Sequence, residues 1–345
     1  MRALAHRHAL AATCALAAAA PGARAERLEP TLGRLTLPAR DAAGVEAPCA
    51  PEGALAFSPA TGEPLRCAPD QGAFRRLVSQ YAWALAPASL HEARTAGPAR
   101  FYLGAEWAAA GLSGGRDYWR RGVERAPGAA HVVSLNLRKG LPAGFELGAS
   151  LGRVVGSSFW AAGAEARWAP LEGARLESLG ALPDLSLGAS ARTTAGPSPL
   201  RLTVVAAEAH LSRRWALGAG GVVAPFLGLQ QLWLFGAAAP VDATPRTDAA
   251  ARCGRAAPPP GPDGAPACAP GGDGADFAND LLFRDVSLSR QRVLAGVTYR
   301  LDQLSAGVEV MVEPLRPSAG EAPDDEARGG RERQFGGALE VGVLF

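Results

Sequence analysis

The chain has 345 residues, 48% hydrophobic and 20% charged, with 42 glycines, 28 prolines and a formal net charge of +2. So small a basic excess, without a Lys/Arg stripe, excludes a nucleic-acid footprint. Past the N-terminal region no stretch of about 18 strongly apolar residues occurs, so helical membrane spans are excluded.

Residues 1–25 read as an export signal. Arg2 and Arg7 make a basic start, an alanine- and leucine-rich stretch comes next, and Ala23, Arg24 and Ala25 give a small-x-small end. Cleavage is expected after Ala25. Cys14 gives only a weak lipoprotein signal, because "LAATC" puts Thr13 before it and alanine where leucine is wanted.

Residues 26–98 form a second unit, Pro- and Gly-rich and without a period around Cys49 and Cys67. The four cysteines beyond the signal fall in two local pairs, and an even count in an exported chain reads as disulfides. Of three connectivities the local one is expected, Cys49–Cys67 and Cys253–Cys268; no CxxC spacing supports a metal. Next, "FRRLVSQYAWAL" puts Phe74, Leu77, Val78, Tyr81 and Leu85 at helical spacing, and Pro87 stops the run. This predicts one amphipathic helix at about 72–86. It either packs at the periplasmic mouth or membrane surface of the C-terminal unit, or plugs that unit.

Residues 99–345 change to a period of two. In "FYLGAEWAA", Phe101, Leu103, Ala105 and Trp107 oppose Tyr102, Gly104 and Glu106. The pattern returns in "VSLNLR", "FELGASLG", "WAAGAEARW", "LSLGASAR", "LRLTVVAAEAHL", "PFLGLQQLWLF", "RVLAGVTYRL", "LSAGVEVMV" and "FGGALEVGVLF". This makes ten strands, or eight or twelve if segments merge or split. In "LRLTVVAAEAHL" the apolar phase switches near Val205, which predicts a β-bulge or a misread strand. Aromatics lie near strand ends, as girdles at bilayer interfaces do. Connections alternate long and short, with 169–184 a longish exception.

Together these features resemble bacterial outer-membrane β-barrel proteins, over residues 99–345 and in architecture rather than activity. The resemblance implies an all-β fold: an antiparallel up-and-down transmembrane barrel in the outer membrane of a Gram-negative cell. It makes Leu339, Val341, Val343 and Phe345 the β-signal that barrel-assembly machinery reads. It also pairs the last strand with the first, so that no edge remains. The implied partners are outer-membrane lipid and lipopolysaccharide. Loop one, "RDYWRRGVERAP", is expected to expose Tyr118 and Trp119 among arginines, toward lipopolysaccharide phosphates or the outer interface.

The polar faces of the strands define a candidate lumen. Its expected acids are Glu106, Glu146, Glu165, Glu208, Glu309 and Glu340. Its expected bases are Arg138, Arg167, Arg192, Arg201, Arg292 and Arg300, with His210 beside Glu208. Such a balance suits an interior filled by ion pairs, since about ten strands leave little room beyond the side chains. Glycines on the same faces keep a pore open as an option. No histidine stands at a recognisable spacing from a nucleophile, so no catalytic residue is assigned. No cofactor or metal site is assigned either, and Asp263, Asp273, Asp276 and Asp280 do not fit an EF-hand spacing. Three classes remain: a small-solute channel or transporter, a closed structural or surface-interaction barrel, and a barrel enzyme.

Overall fold

The computed structural model describes residues 28–49, 56–62, 64–65, 67–172, 182–196, 198–242, 280–314 and 333–345. Ten long strands dominate it. They are β1 (Phe101–Gly111), β2 (Ala129–Gly140), β3 (Phe145–Val154), β4 (Trp160–Leu171) and β5 (Asp184–Ala195). Then come β6 (Leu200–Ser212), β7 (Gly221–Ala238), β8 (Val286–Leu301), β9 (Leu304–Val312) and β10 (Phe335–Leu344). Every strand pairs antiparallel with its sequence neighbours, and β10 pairs with β1 from Gly336↔Ala110 to Leu344↔Tyr102. The sheet is therefore a closed up-and-down barrel of ten strands, with no long edge left to pair.

Outward positions carry large apolar residues that remain exposed, such as Leu135 (43%), Leu147 (51%), Leu229 (52%) and Val310 (56%). Aromatics cluster at both rims: Phe101 stacks on Phe345 at 5.9 Å and Phe145 on Trp168 at 5.9 Å at one rim, while Trp160, Trp233 and Phe335 lie toward the other. Long connections leave the second rim, the loop end; the first, the turn end, has tight turns such as Asp302–Gln303. Asp302 takes φ 51° there, a left-handed conformation that aspartate tolerates better than most side chains.

Two sequence expectations change here. Strand β6 keeps one register with β5 and with β7 along its length, so no bulge occurs at Val205. Leu200, Leu202, Val204, Ala206, Glu208 and His210 all face inward, and it is the apolar ones among them that gave the false phase switch. By the same register Arg201 points outward and is exposed, not in the lumen.

The chain before β1 crosses the interior. Residues 28–37 lie at the loop end: Leu28 N–H donates to Gly156 C=O (2.7 Å) and Thr31 N–H to Gly122 C=O (2.9 Å). Helix α1 (Gln71–Leu85) begins there, where the Gln71 side chain exchanges hydrogen bonds with the Arg284 backbone at 2.9 and 3.0 Å. Asp70 caps it, accepting from Ala73 N–H at 2.9 Å. Pro87 cannot continue it. Fifteen residues extend about 22 Å, and α1 touches β1, β2, β6, β7 and β8 on their inward faces. An extended strap, residues 86–99, then reaches the turn end and enters β1.

Loop one folds differently from expectation. It holds α2 (Asp117–Gly122), and Tyr118 and Trp119 are buried against α1 rather than exposed. Arg121 of α2 is fixed by Asp117 (2.6 Å) and Asp70 (2.8 Å). Partial burial alone would lower its pKa, but these two carboxylates prevail and hold it above the ordinary arginine value. The Cys49–Cys67 disulfide is present. Residues 1–25, the pair Cys253–Cys268 and Asp263, Asp273 and Asp276 lie outside the described residues.

Candidate functional site

The interior has two chemically distinct halves. At the loop end α1 turns Phe74, Leu77, Val78, Tyr81 and Trp83 into a sleeve of Val132, Leu202, Val204, Leu232, Leu234 and Leu288. Each such side chain contributes about 1.5–3 kcal/mol on burial. The fit is close enough that a Cβ at Gly236 would collide with Val78. Tyr81 stacks on Trp119 at 5.7 Å, meets Phe159 edge-on at 5.6 Å and donates its hydroxyl to Leu28 C=O at 2.8 Å. Two polar side chains of α1 find partners at this end. Ser79 Oγ accepts from Arg290 (3.2 Å), which pairs with Glu313. Gln80 donates to Ser113 Oγ (2.8 Å) and accepts from Trp119 Nε1–H (2.6 Å). A buried amide left unpaired would cost more than the bonds return.

At the turn end the strap meets charge at each level. Arg292 and Gln230 donate to the Pro87 carbonyl. Ser89 Oγ donates to Glu208 at 2.5 Å, and Gln230 Nε2 donates to the same oxygen at 2.7 Å. Arg167 reaches His91 and the Glu92 carbonyl while paired with Glu146. Glu92 pairs with Arg214, Arg94 with Asp184 at 2.8 Å, and Thr95 donates to Glu172 at 2.8 Å. Away from the strap, Arg138 pairs with Glu340 at 3.0 Å, and Asn136 bridges Glu340 (3.2 Å) and Glu106 (2.9 Å). Buried charges persist because they are paired in this way.

The lumen glycines turn out to be room for these side chains. The Glu165 carboxylate lies over Gly148, and the Tyr102 ring lies over Gly342, each where a Cβ would stand. Two small cavities lie along the strap. One polar cavity, of about 20 Å³ and lined by His91, Glu106, Arg138, Glu165 and Arg192 among others, has room for a water or two. A second, of about 50 Å³, opens at the turn end beside His91, Glu92, Arg167 and Arg300.

Of the residues expected in the lumen, Glu106, Arg138, Glu146, Glu165, Arg167, Arg192, Glu208, His210, Arg292, Arg300, Glu309 and Glu340 all lie on inward faces. Arg201 is the exception. His91, Glu208 and His210 come together with their ligand atoms within 4.8 Å of one another. Ser89 Oγ bonds to Glu208 rather than to a histidine, so no nucleophile–base pair is formed there. His131 faces outward and stacks on Trp107 at 5.6 Å. Sequence reasoning missed Ser89, Glu92, Arg94, Asp184 and Gln230. The first three sit in an aperiodic stretch. Gln230 was recoverable, since it alternates with Leu229 and Gln231 in a strand.

No family model matches the chain, and no curated protein matches it. Solved structures do. Ail, the attachment invasion locus protein of Yersinia pestis, in complex with the heparin analogue sucrose octasulfate, is similar at 8% identity with a TM-score of 0.25. The match covers 72% of this chain and 99% of that one. Neisserial surface protein A (NspA) is similar at 13% identity with a TM-score of 0.24, covering 71% of this chain and 95% of that one. The fold itself rests on the closed strand pairing described above.

Proposed function

We propose that this chain is an integral outer-membrane β-barrel closed by its own residues 71–99, a surface-interaction or structural barrel and not a general diffusion pore. The membrane assignment is supported by the outward band of exposed leucine, valine and aromatic residues around a barrel without edges. With the loop end outside, residues 28–49 and the Cys49–Cys67 disulfide sit at the outer mouth, held by α1 and α2. They and the described residues of loop one then form a surface available to a partner. The closed lumen is carried by one observation: the segment from Gln71 to Ala96 meets the wall from Arg284 at the loop end to Glu146 at the turn end. A channel selective for one sign of ion would instead line an open path with one charge.

Single-channel recording of the refolded chain from residue 26, in a planar bilayer, tests this. The full chain is expected to be silent. A version lacking residues 28–98, shown to be folded, is expected to open. Steady openings of the full chain contradict the proposal and restore the small-solute channel.

A further inference from the structure

We propose that His91, Glu208 and His210 form a binding site for one divalent metal ion of the zinc class, buried between the strap and β6. The donor set is two imidazoles and one carboxylate, a common zinc complement. His91 Nε2 lies 3.6 Å from Glu208 Oε1, and His210 Nε2 lies 3.8 Å from Glu208 Oε2. Ligands at about 2.1 Å from a tetrahedral ion stand roughly 3.4 Å apart; here the three ligand atoms lie within 4.8 Å of one another, so side-chain shifts on the order of an ångström bring them onto one ion.

The second observation is His210 itself. It is fully buried and its ring stacks on His91 at 4.8 Å, yet neither ring nitrogen has a partner at good hydrogen-bond geometry, Nε2 standing 3.8 Å from Glu208. A buried imidazole without a partner is a cost that a metal bond would remove. The outer shell is already in place. Ser89 and Gln230 both donate to the Glu208 carboxylate, as second-shell groups do for metal-ligating carboxylates. On His91, Nδ1 faces the Glu92 carbonyl at 3.3 Å, the partner that would hold the proton there and leave Nε2 to the ion. Arg167, which contacts the same nitrogen, would draw back onto Glu146 and the carbonyls of Glu92 and Arg94. Entry is from the turn end, because His91 lines both the cavity that opens there and the one deeper in the lumen. The ion would tie the strap, through His91, to the wall strand. The site rests on this geometry and not on whether the barrel conducts.

The test is equilibrium dialysis of the oxidised, refolded chain from residue 26, without a polyhistidine tag, against Zn2+, with metal content by mass spectrometry. One zinc per chain is expected. His210→Ala and Glu208→Gln, each shown to be folded, should weaken binding at least about 100-fold, while His131→Ala keeps it. X-ray absorption at the zinc edge of the unaltered chain should show two imidazoles and carboxylate oxygen. A folded chain that takes up no stoichiometric zinc overturns the proposal, as does zinc retained by His210→Ala or bound through sulfur.

Discussion

At the loop end, β6 and β8 meet α1 through Leu200, Leu202, Val204 and Leu288; a few residues further along, the same strands meet the strap through Glu208, His210 and Arg292. The helix satisfies most of its own backbone, so an apolar sleeve covers most of it, with the carbonyls of Ser79 and Gln80 taking donors from Arg290 and Gln334. The strap has no internal ladder, and its carbonyls at Pro87, Glu92 and Arg94 take arginine and glutamine donors from the wall. The conformation of the inserted segment thus decides the chemistry of the wall around it. Strand β7 shows it: inward Leu232 and Leu234 oppose outward Trp233 and Phe235 in one half, while inward Gln230 alternates with outward Leu229 toward the other.

Breaking the turn end should cost most. Arg138→Met leaves the buried Glu340 without its cation, a loss of about 3–5 kcal/mol in urea unfolding from lipid vesicles. Arg138→Met combined with Glu340→Met should recover much of it, since the uncompensated charge is gone. At the loop end Leu77→Ala removes a fully buried side chain and should cost about 2–5 kcal/mol, with no partner whose removal restores it. That contrast between rescue and no rescue separates the two halves. Glu92–Arg214 stands at the turn-end mouth, where both side chains are partly solvated. A double-mutant cycle should give a coupling of only about 1 kcal/mol. Smallest for the barrel is the Cys49–Cys67 disulfide, which closes a separation of 18 residues in the segment outside it. Replacing both cysteines by serine should leave the barrel's unfolding midpoint unchanged while making that segment easier to cleave with protease.

Much of this was legible in the sequence, and the reason is local. Strand alternation depends on neighbouring residues alone, so ten segments such as "FELGASLG" gave ten strands, and Glu146, Arg167 and Glu340 fell on the inward face by parity. The helix was legible for the same reason, from the spacing of Phe74, Leu77, Val78 and Tyr81. What alternation does not carry is the nature of the inward neighbour. Leu200, Leu202 and Val204 looked out of phase because an inward face was taken to be polar; an apolar helix lies opposite them. Tyr118 and Trp119 looked exposed because the partners of Trp119, Tyr81 and Gln80, are far away in the chain. The joining of His91 to Glu208 and His210 likewise depends on a segment entering the lumen from far earlier in the chain than β6.

The placement of α1 inside the barrel is the claim on which the rest depends, and a crosslink reads it directly. With Val78→Cys and Gly236→Cys, at positions adjacent across the helix–wall contact, mild oxidation of the folded protein should join the two peptides, as seen by mass spectrometry. The same pair in unfolded protein should not link preferentially. A folded barrel in which the cysteine introduced on α1 stays unlinked and reacts freely with a water-soluble thiol reagent would place α1 outside the lumen and contradict the closed interior.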